Sequence, residues 1–64
     1  MNIKRINVKD LNANDSFCLP GNSTVYTVES RHTDGPRTRV TYTLGSYRGE
    51  FVKVNLSSVD LLEV

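Results

Sequence analysis

The residues that decide the fold are 24–44, TVYTVESRHTDGPRTRVTYTL. This stretch is rich in Val, Thr and Tyr, residue types that suit the half-buried surface of a pleated sheet. At its centre, the residues Asp34-Gly35-Pro36 supply the fixed or positive backbone φ angles that tight turns need. The stretch therefore predicts two antiparallel strands joined as a hairpin.

The alternation of apolar residues predicts how these two strands pair. Tyr26 and Val28 share one face of the first strand, and Tyr42 and Leu44 share one face of the second. A three-residue loop at 34–36 pairs Val28 with Tyr42 and Tyr26 with Leu44, whereas a two-residue Asp-Gly turn does not match these apolar faces. Because a slip of one residue moves a strand's whole apolar set to the other face, we prefer the three-residue loop.

Five short strands are predicted in total, at residues 16–19, 23–31, 37–44, 50–54 and 59–63. Helical periodicity is nearly absent, so helix is expected only as single turns at 7–11 and 55–58, the second capped by Asn55. In the fourth strand, Val52 and Val54 are predicted to point inward. That orientation leaves Phe51 exposed, or half covered by Tyr47.

The segment Asp10-Leu11-Asn12-Ala13-Asn14-Asp15-Ser16-Phe17 resembles the opening of small barrel proteins of bacteria and phages, which often read Asp-Leu-x-x-Gly-Asp before the first strand. Asn14 stands where those proteins have glycine, and asparagine also adopts left-handed backbone angles. Residues 24–28 and 59–62 continue the likeness. The resemblance implies an all-β fold, a small five-stranded antiparallel SH3-like barrel with a short helical turn before the last strand. It is a likeness of fold and assigns no functional residues.

The composition limits what the chain can do. A chain of 64 residues is expected to form one small domain, with residues 1–9 as a flexible or loosely packed N-terminal arm. One cysteine and one histidine leave no disulfide and too few ligands for a metal site, so we expect no cofactor. The absence of disulfides suits a reducing cytoplasm, which for a phage protein is that of the host. Neither a signal peptide nor a membrane span is predicted.

No set of residues predicts catalysis. Cys18 lies among apolar residues of the first strand and His32 beside the hairpin loop, so a catalytic pair has no support. The loop Gly45-Ser46-Tyr47-Arg48-Gly49 contains two glycines, but it lacks the Lys-Ser/Thr ending and the following helix of a phosphate-binding loop. Asp10 and Asp15 flank a turn, where carboxylates commonly bind backbone amides. We therefore expect a protein that is not an enzyme.

The net charge of +1 conceals two basic segments. Residues 4–9 carry +3 and residues 31–53 carry +3, while the rest of the chain carries −5. In the preferred register three arginines share the outer face of the hairpin, with Arg31 opposite Arg39. Arginine matches phosphate geometry, and an exposed aromatic ring can stack on an unpaired base. The predicted nucleic-acid-binding residues are Arg31, Arg37, Arg39, Arg48, Lys53 and Tyr47.

Two other interpretations of the same residues stay open. The protein-interaction alternative is a module, such as a phage accessory protein, that binds a host or phage protein through Phe51 and Tyr47 and through free strand edges. A symmetric homo-oligomer through the strand containing Phe51 is a variant of this hypothesis. The third interpretation is that arginine and threonine are ordinary solvent-facing choices on an antiparallel strand.

Overall fold

A computed structural model describes residues 2–63 of the chain. The described residues form one antiparallel sheet with the strand order β1-β6-β2-β3-β4-β5 and one short 3-10 turn, Val8–Asp10. The strands are β1 (Asn2–Asn7), β2 (Ser16–Cys18), β3 (Tyr26–Asp34), β4 (Arg37–Leu44), β5 (Tyr47–Val54) and β6 (Ser58–Glu63). The prediction of an all-β, antiparallel fold is confirmed.

Two features of the sheet differ from the prediction. The sheet has six strands rather than five, because the segment assigned to an N-terminal arm contains β1, which pairs with β6 from Asn2 opposite Glu63 to Asn7 opposite Ser58. Within residues 2–63 no strand pairing joins β5 to β1, so the sheet is not closed into a barrel. The two edges of the sheet are therefore β1 and β5.

The hairpin of β3 and β4 has a two-residue turn, not the predicted three-residue loop. Asp34 lies opposite Arg37, and Gly35 has a φ of +59°, as expected for glycine at the first central position of a type II′ turn. A β-bulge between Val28 and Ser30 then shifts the register by one residue. The predicted pairing of Val28 with Tyr42 is observed, but the extra residue sits in the bulge at position 29 and not in the loop.

The core lies on one face of the sheet, which we call the inner face. Its apolar residues come from β2, β3, β4, β6, the 3-10 turn and the residue that follows this turn, and all are at most 1% exposed: Val8, Leu11, Phe17, Val28, Val40 and Val59. Phe17 is the largest of these, and burying such a side chain contributes about 2–3 kcal/mol. The opposite face of the sheet is the outer face.

Strand β5 has the reverse orientation to the one predicted. Phe51 lies opposite the buried Val40 and packs against the core, whereas Val52 and Val54 are 53% and 57% exposed on the outer face. The cause is the two-residue turn at Gly45, which places Leu44 opposite Tyr47 and fixes the parity of every later pair.

The turns that flank the sheet follow their sequence signals in part. Asn14 has a φ of +75°, and the backbone amide of Asn12 donates to Asp15 Oδ2 at 2.9 Å, as predicted for this turn. The predicted turn at 7–11 contains the 3-10 segment. The segment at 55–58 holds no helix, and the side chain of Asn55 bonds to the β3–β4 hairpin instead of capping one.

Candidate nucleic-acid interface

The outer face of the β3–β4 hairpin carries three basic side chains, His32, Arg37 and Arg39, which we call the basic strip. His32 lies directly opposite Arg39, and Arg37 precedes Arg39 by two residues on β4. Because alternate residues of a strand share a face and are about 6.6 Å apart, the two guanidinium groups project side by side. With Asp34 and Val52 they line a shallow depression of about 220 Å³.

The two arginines of the basic strip have no acidic partner among residues 2–63. The ion pairs in that part of the chain join Arg5 to Asp60, Lys9 to Asp10 and Arg48 to Glu29. Asp34 lies opposite Arg37 in the sheet, yet their charged atoms are not within ion-pair distance. The guanidinium groups of Arg37 and Arg39 are thus available to an external anion.

Arg31 and Lys53 lie on the inner face, opposite to the face of the basic strip, although Lys53 and Arg37 line one depression beside β5. Arg31 is opposite Val40 rather than Arg39, as the two-residue turn requires, and its guanidinium donates to Thr33 Oγ1 at 3.2 Å. Lys53 is opposite Thr38, with its Nζ atom 5.8 Å from the centre of the Phe51 ring. The expected face of three arginines is therefore wrong: the structure brings two of them together and separates the third.

Arg48 and Tyr47 lie at the other end of β5. Arg48 is on the outer face, where its guanidinium donates to the Glu29 carboxylate. Tyr47 is on the inner face and 61% exposed, and its ring centre is 6.4 Å from that of Tyr42. Neither residue adjoins the basic strip, because the pair of Thr41 and Glu50 separates them from it along the sheet.

Aromatic rings form a continuous cluster on the inner face. Tyr42 is at its centre, with ring centres 4.8 Å from Tyr26 and 5.8 Å from Phe51, and Phe51 is 6.0 Å from Phe17. Burial raises the pKa of Tyr42 above its ordinary value, and the nearby Tyr47 and Tyr26 raise it further. Phe51 is thus a core contact, so of the two residues predicted to contact a protein only Tyr47 presents an exposed ring.

Gly49 is required by this cluster. A β-carbon at position 49 would lie 2.8 Å from the Tyr42 hydroxyl oxygen and 2.9 Å from Tyr47 Cε2. The missing side chain lets the Tyr42 ring lie over β5. Glycine in a strand often marks such a close approach.

Cys18 and His32 are far apart. Cys18 is half-buried on β2 opposite Asp60, and β2 meets β3 at Phe17 and Tyr26. His32 lies six residues beyond Tyr26, which is about 20 Å along the strand. In the described part of the chain no three potential metal ligands among His, Cys, Asp and Glu lie close together.

Two features of the surface were not predicted from the sequence. His32 was not assigned to the basic strip, although assigning Gly35 to a type II′ turn would have paired it with Arg39. The second feature is an apolar depression of about 450 Å³ on the outer face of β1, β6 and β2, where Ile3, Val25 and Leu62 meet Cys18. It went unnoticed because β1 was not predicted as a strand.

Comparison with known proteins adds no further assignment, since no family model, no curated protein and no solved structure matches this chain. Within residues 2–63, no helix has the length and apolar character needed to cross a membrane.

Proposed function

We propose that this protein is a small, non-enzymatic binding module that contacts nucleic acid through the basic strip. The observation that carries the proposal is the placement of Arg37 and Arg39 at successive outer-face positions of β4 without a carboxylate partner in residues 2–63. Two adjacent free guanidinium groups fit a chain of phosphates.

The expected contact is with the phosphate backbone and not with base edges. Each guanidinium offers a planar set of donors to one phosphate, and the His32 ring contributes a further N–H donor beside Arg39. The exposed methyl groups of Val52 flank the strip without adding charge. Such a surface distinguishes phosphate polymers from neutral ones but carries little sequence information.

The affinity of this strip is expected to depend strongly on salt. Counterion release gives a slope of about 0.9 in log Kd against log salt concentration for each phosphate neutralised, so two contacts give a slope of about 2. Arg31 and Lys53 are left out of this contact, because they lie on the inner face.

The experiment is fluorescence anisotropy of labelled single-stranded and double-stranded DNA and RNA at low salt. Arg37→Glu combined with Arg39→Glu should abolish binding. The matched control is Lys4→Glu combined with Arg31→Glu, which changes the net charge by the same amount. Both residues are exposed and lie outside the basic strip, Lys4 on β1 and Arg31 on the inner face. Equal losses in the two double variants would show that only net charge matters, and unchanged binding in the first would refute the proposal.

The alternative of a protein-interaction module has lost one of its two residues, because Phe51 packs in the aromatic cluster. Exposed Tyr47 and the edge strands β1 and β5 support it still. A protein captured by the chain after nuclease treatment, and lost with Tyr47→Ala, would favour this function.

We further propose an SH3-like arrangement for β2 to β6 and a cytoplasmic location. The fold proposal is supported by the meander of β2 to β5, after which β6 returns to lie beside β2. The location is supported by the single free thiol, Cys18.

A further inference from the structure

Strand β5 exposes one complete edge. It pairs with β4 on one side, and within residues 2–63 it has no partner strand on the other. An eight-residue strand with a free edge is a template for pairing with another chain. Proteins commonly protect such an edge with a bulge, a proline or charged side chains, lysine above all. β5 carries Lys53 near its C-terminal end, but the charges near its centre are of opposite sign, Arg48 and Glu50 on the outer face.

The hydrogen-bond pattern of the hairpin shows which backbone groups face this edge. In a two-residue hairpin the residues that flank the turn, here Leu44 and Tyr47, exchange backbone hydrogen bonds. At the other end of the β4–β5 ladder, the backbone N–H of Asn55 donates to the Pro36 carbonyl at 2.9 Å. This bond follows the same alternation of hydrogen-bonded and non-hydrogen-bonded pairs. The odd-numbered residues of β5 therefore bond to β4, and Arg48, Glu50 and Val52 direct their amides and carbonyls outward.

Symmetry limits how two copies of this edge can pair. In an antiparallel pair of β5 strands related by a two-fold axis normal to the sheet, directly opposed residues lie on the same face. Because alternate residues of a strand share a face, the numbers of two opposed residues are both odd or both even. A two-fold axis at Glu50 opposes two like charges, and one at Phe51 or Val52 places Glu50 opposite a valine. On the outer face, an axis at Gly49 places Arg48 opposite the partner's Glu50 and Glu50 opposite the partner's Arg48. It also places Tyr47 opposite the partner's Phe51 on the inner face.

We propose that β5 pairs with β5 of a second copy of this chain, antiparallel and centred on Gly49. This register gives two opposite-charge pairs and two aromatic pairs, both of which stabilise antiparallel strands. At its centre the two glycines form a non-hydrogen-bonded pair, in which the Cα atoms approach to about 4.5 Å. Gly49 carries no β-carbon, so this approach adds no crowding beneath the Tyr42 ring.

The contact between Arg48 and Glu29 is compatible with this dimer. The guanidinium group has five N–H donors, and the Glu29 carboxylate uses one of its faces. Glu50 has no ion-pair partner among residues 2–63, so its carboxylate is free to accept from the partner's Arg48. The dimer joins two sheets edge to edge and places both basic strips on the same outer face.

This interface is small, with about four backbone hydrogen bonds from the two outward-facing pairs of Arg48 with Glu50. The dimer should therefore form and dissociate within an accessible concentration range. Sedimentation equilibrium over roughly micromolar to millimolar protein should show a reversible monomer–dimer equilibrium. A wild-type mass that stays monomeric over this whole range would overturn the proposal.

Charge reversal tests the register. Arg48→Glu should weaken dimerisation about tenfold or more, because in each of the two symmetry-related pairs a carboxylate at position 48 would then face the partner's Glu50. Glu50→Arg should weaken it similarly. The double variant Arg48→Glu with Glu50→Arg should recover most of the lost affinity, short of the wild type because the new carboxylate at position 48 faces Glu29. A double variant that dimerises no more tightly than the two single variants contradicts the Gly49-centred register. Lys4→Glu, on the other edge strand, is the matched control and should leave the constant unchanged.

Removal of one outward amide tests the edge itself. Glu50→Pro deletes an N–H that faces away from β4, and proline is tolerated on edge strands, so the variant should fold but remain monomeric. Far-ultraviolet circular dichroism checks the fold. A folded Glu50→Pro variant that still dimerises would place the interface elsewhere. This outcome is independent of nucleic-acid binding, which the basic strip of a monomer can still perform.

Discussion

The hydroxyl of Thr38 donates to Asn55 Oδ1 at 2.7 Å, and this bond joins the tip of the β3–β4 hairpin to the turn that follows β5. Thr38 is completely buried, and its hydroxyl also lies 3.3 Å from the Thr33 hydroxyl, its other side-chain hydrogen-bond partner within residues 2–63. The Asn55 amide group completes the link by donating to the Gly35 carbonyl at 2.9 Å. Both ends of the Asn55 side chain are thus used to hold the hairpin that carries the basic strip.

Replacement of Asn55 by alanine should destabilise the protein by about 1–3 kcal/mol, because the buried Thr38 hydroxyl loses its best acceptor. Urea unfolding followed by circular dichroism measures this difference. Asn12→Ala is the matched control, since Asn12 is exposed and its side chain makes no hydrogen bond within residues 2–63; it should change stability by less than about 0.5 kcal/mol. Equal stability of Asn55→Ala and the wild type would contradict this role.

Local signals in the sequence were sufficient for the strands and turns of the central hairpin. The pairing of Val28 with Tyr42 was predicted because both side chains must reach the core. The bulge could not be predicted, because an extra residue in the loop and an extra residue at Glu29 both place Val28 opposite Tyr42. Strand β1 was missed for a different reason: Ile3 and Ile6 do not alternate with period two, and the strand exists through its pairing with β6.

The candidate site was predicted only in part, because the assignment of each side chain to the outer face depended on the register of the β3–β4 hairpin. Arg37 and Arg39 are close to the turn on β4 and stay together in either register. Arg31 precedes the turn, so the two-residue turn moved it to the inner face and brought His32 opposite Arg39. Side-chain direction in a hairpin is therefore predictable from sequence only when the loop length is known.

The orientation of β5 gives a second stability prediction. Phe51→Ala should cost about 2–3 kcal/mol, less than for a fully buried phenylalanine because Phe51 is half-buried against Phe17 and Tyr42. Val52→Ala should cost under about 0.5 kcal/mol, because that side chain is largely exposed. Thermal and urea unfolding of the two variants provide the comparison. A larger loss for Val52→Ala than for Phe51→Ala would mean that β5 has the opposite face inward.

The raised pKa of Tyr42 predicts a loss of stability at alkaline pH. Burial disfavours the phenolate, so in the folded protein Tyr42 keeps its proton at a pH where an ordinary tyrosine has lost it. Above the ordinary tyrosine pKa the unfolded chain binds fewer protons than the folded one. The contribution of Tyr42 to stability should therefore be constant below that pKa and should fall as the pH rises through it toward the folded-state pKa.

Ultraviolet absorbance of the phenolate follows this ionisation directly. In an alkaline titration Tyr42 should ionise in a late step, above the ordinary tyrosine pKa, and Tyr42→Phe should remove that late step. The same variant should show a weaker decline of unfolding free energy with pH, because the hydroxyl whose pKa is raised in the folded state is gone. Tyr47→Phe is the matched control, since Tyr47 is 61% exposed, and it should retain the late step. Loss of the late step in Tyr47→Phe but not in Tyr42→Phe would assign the perturbed hydroxyl to the exposed ring and contradict the packing of Tyr42 over Gly49.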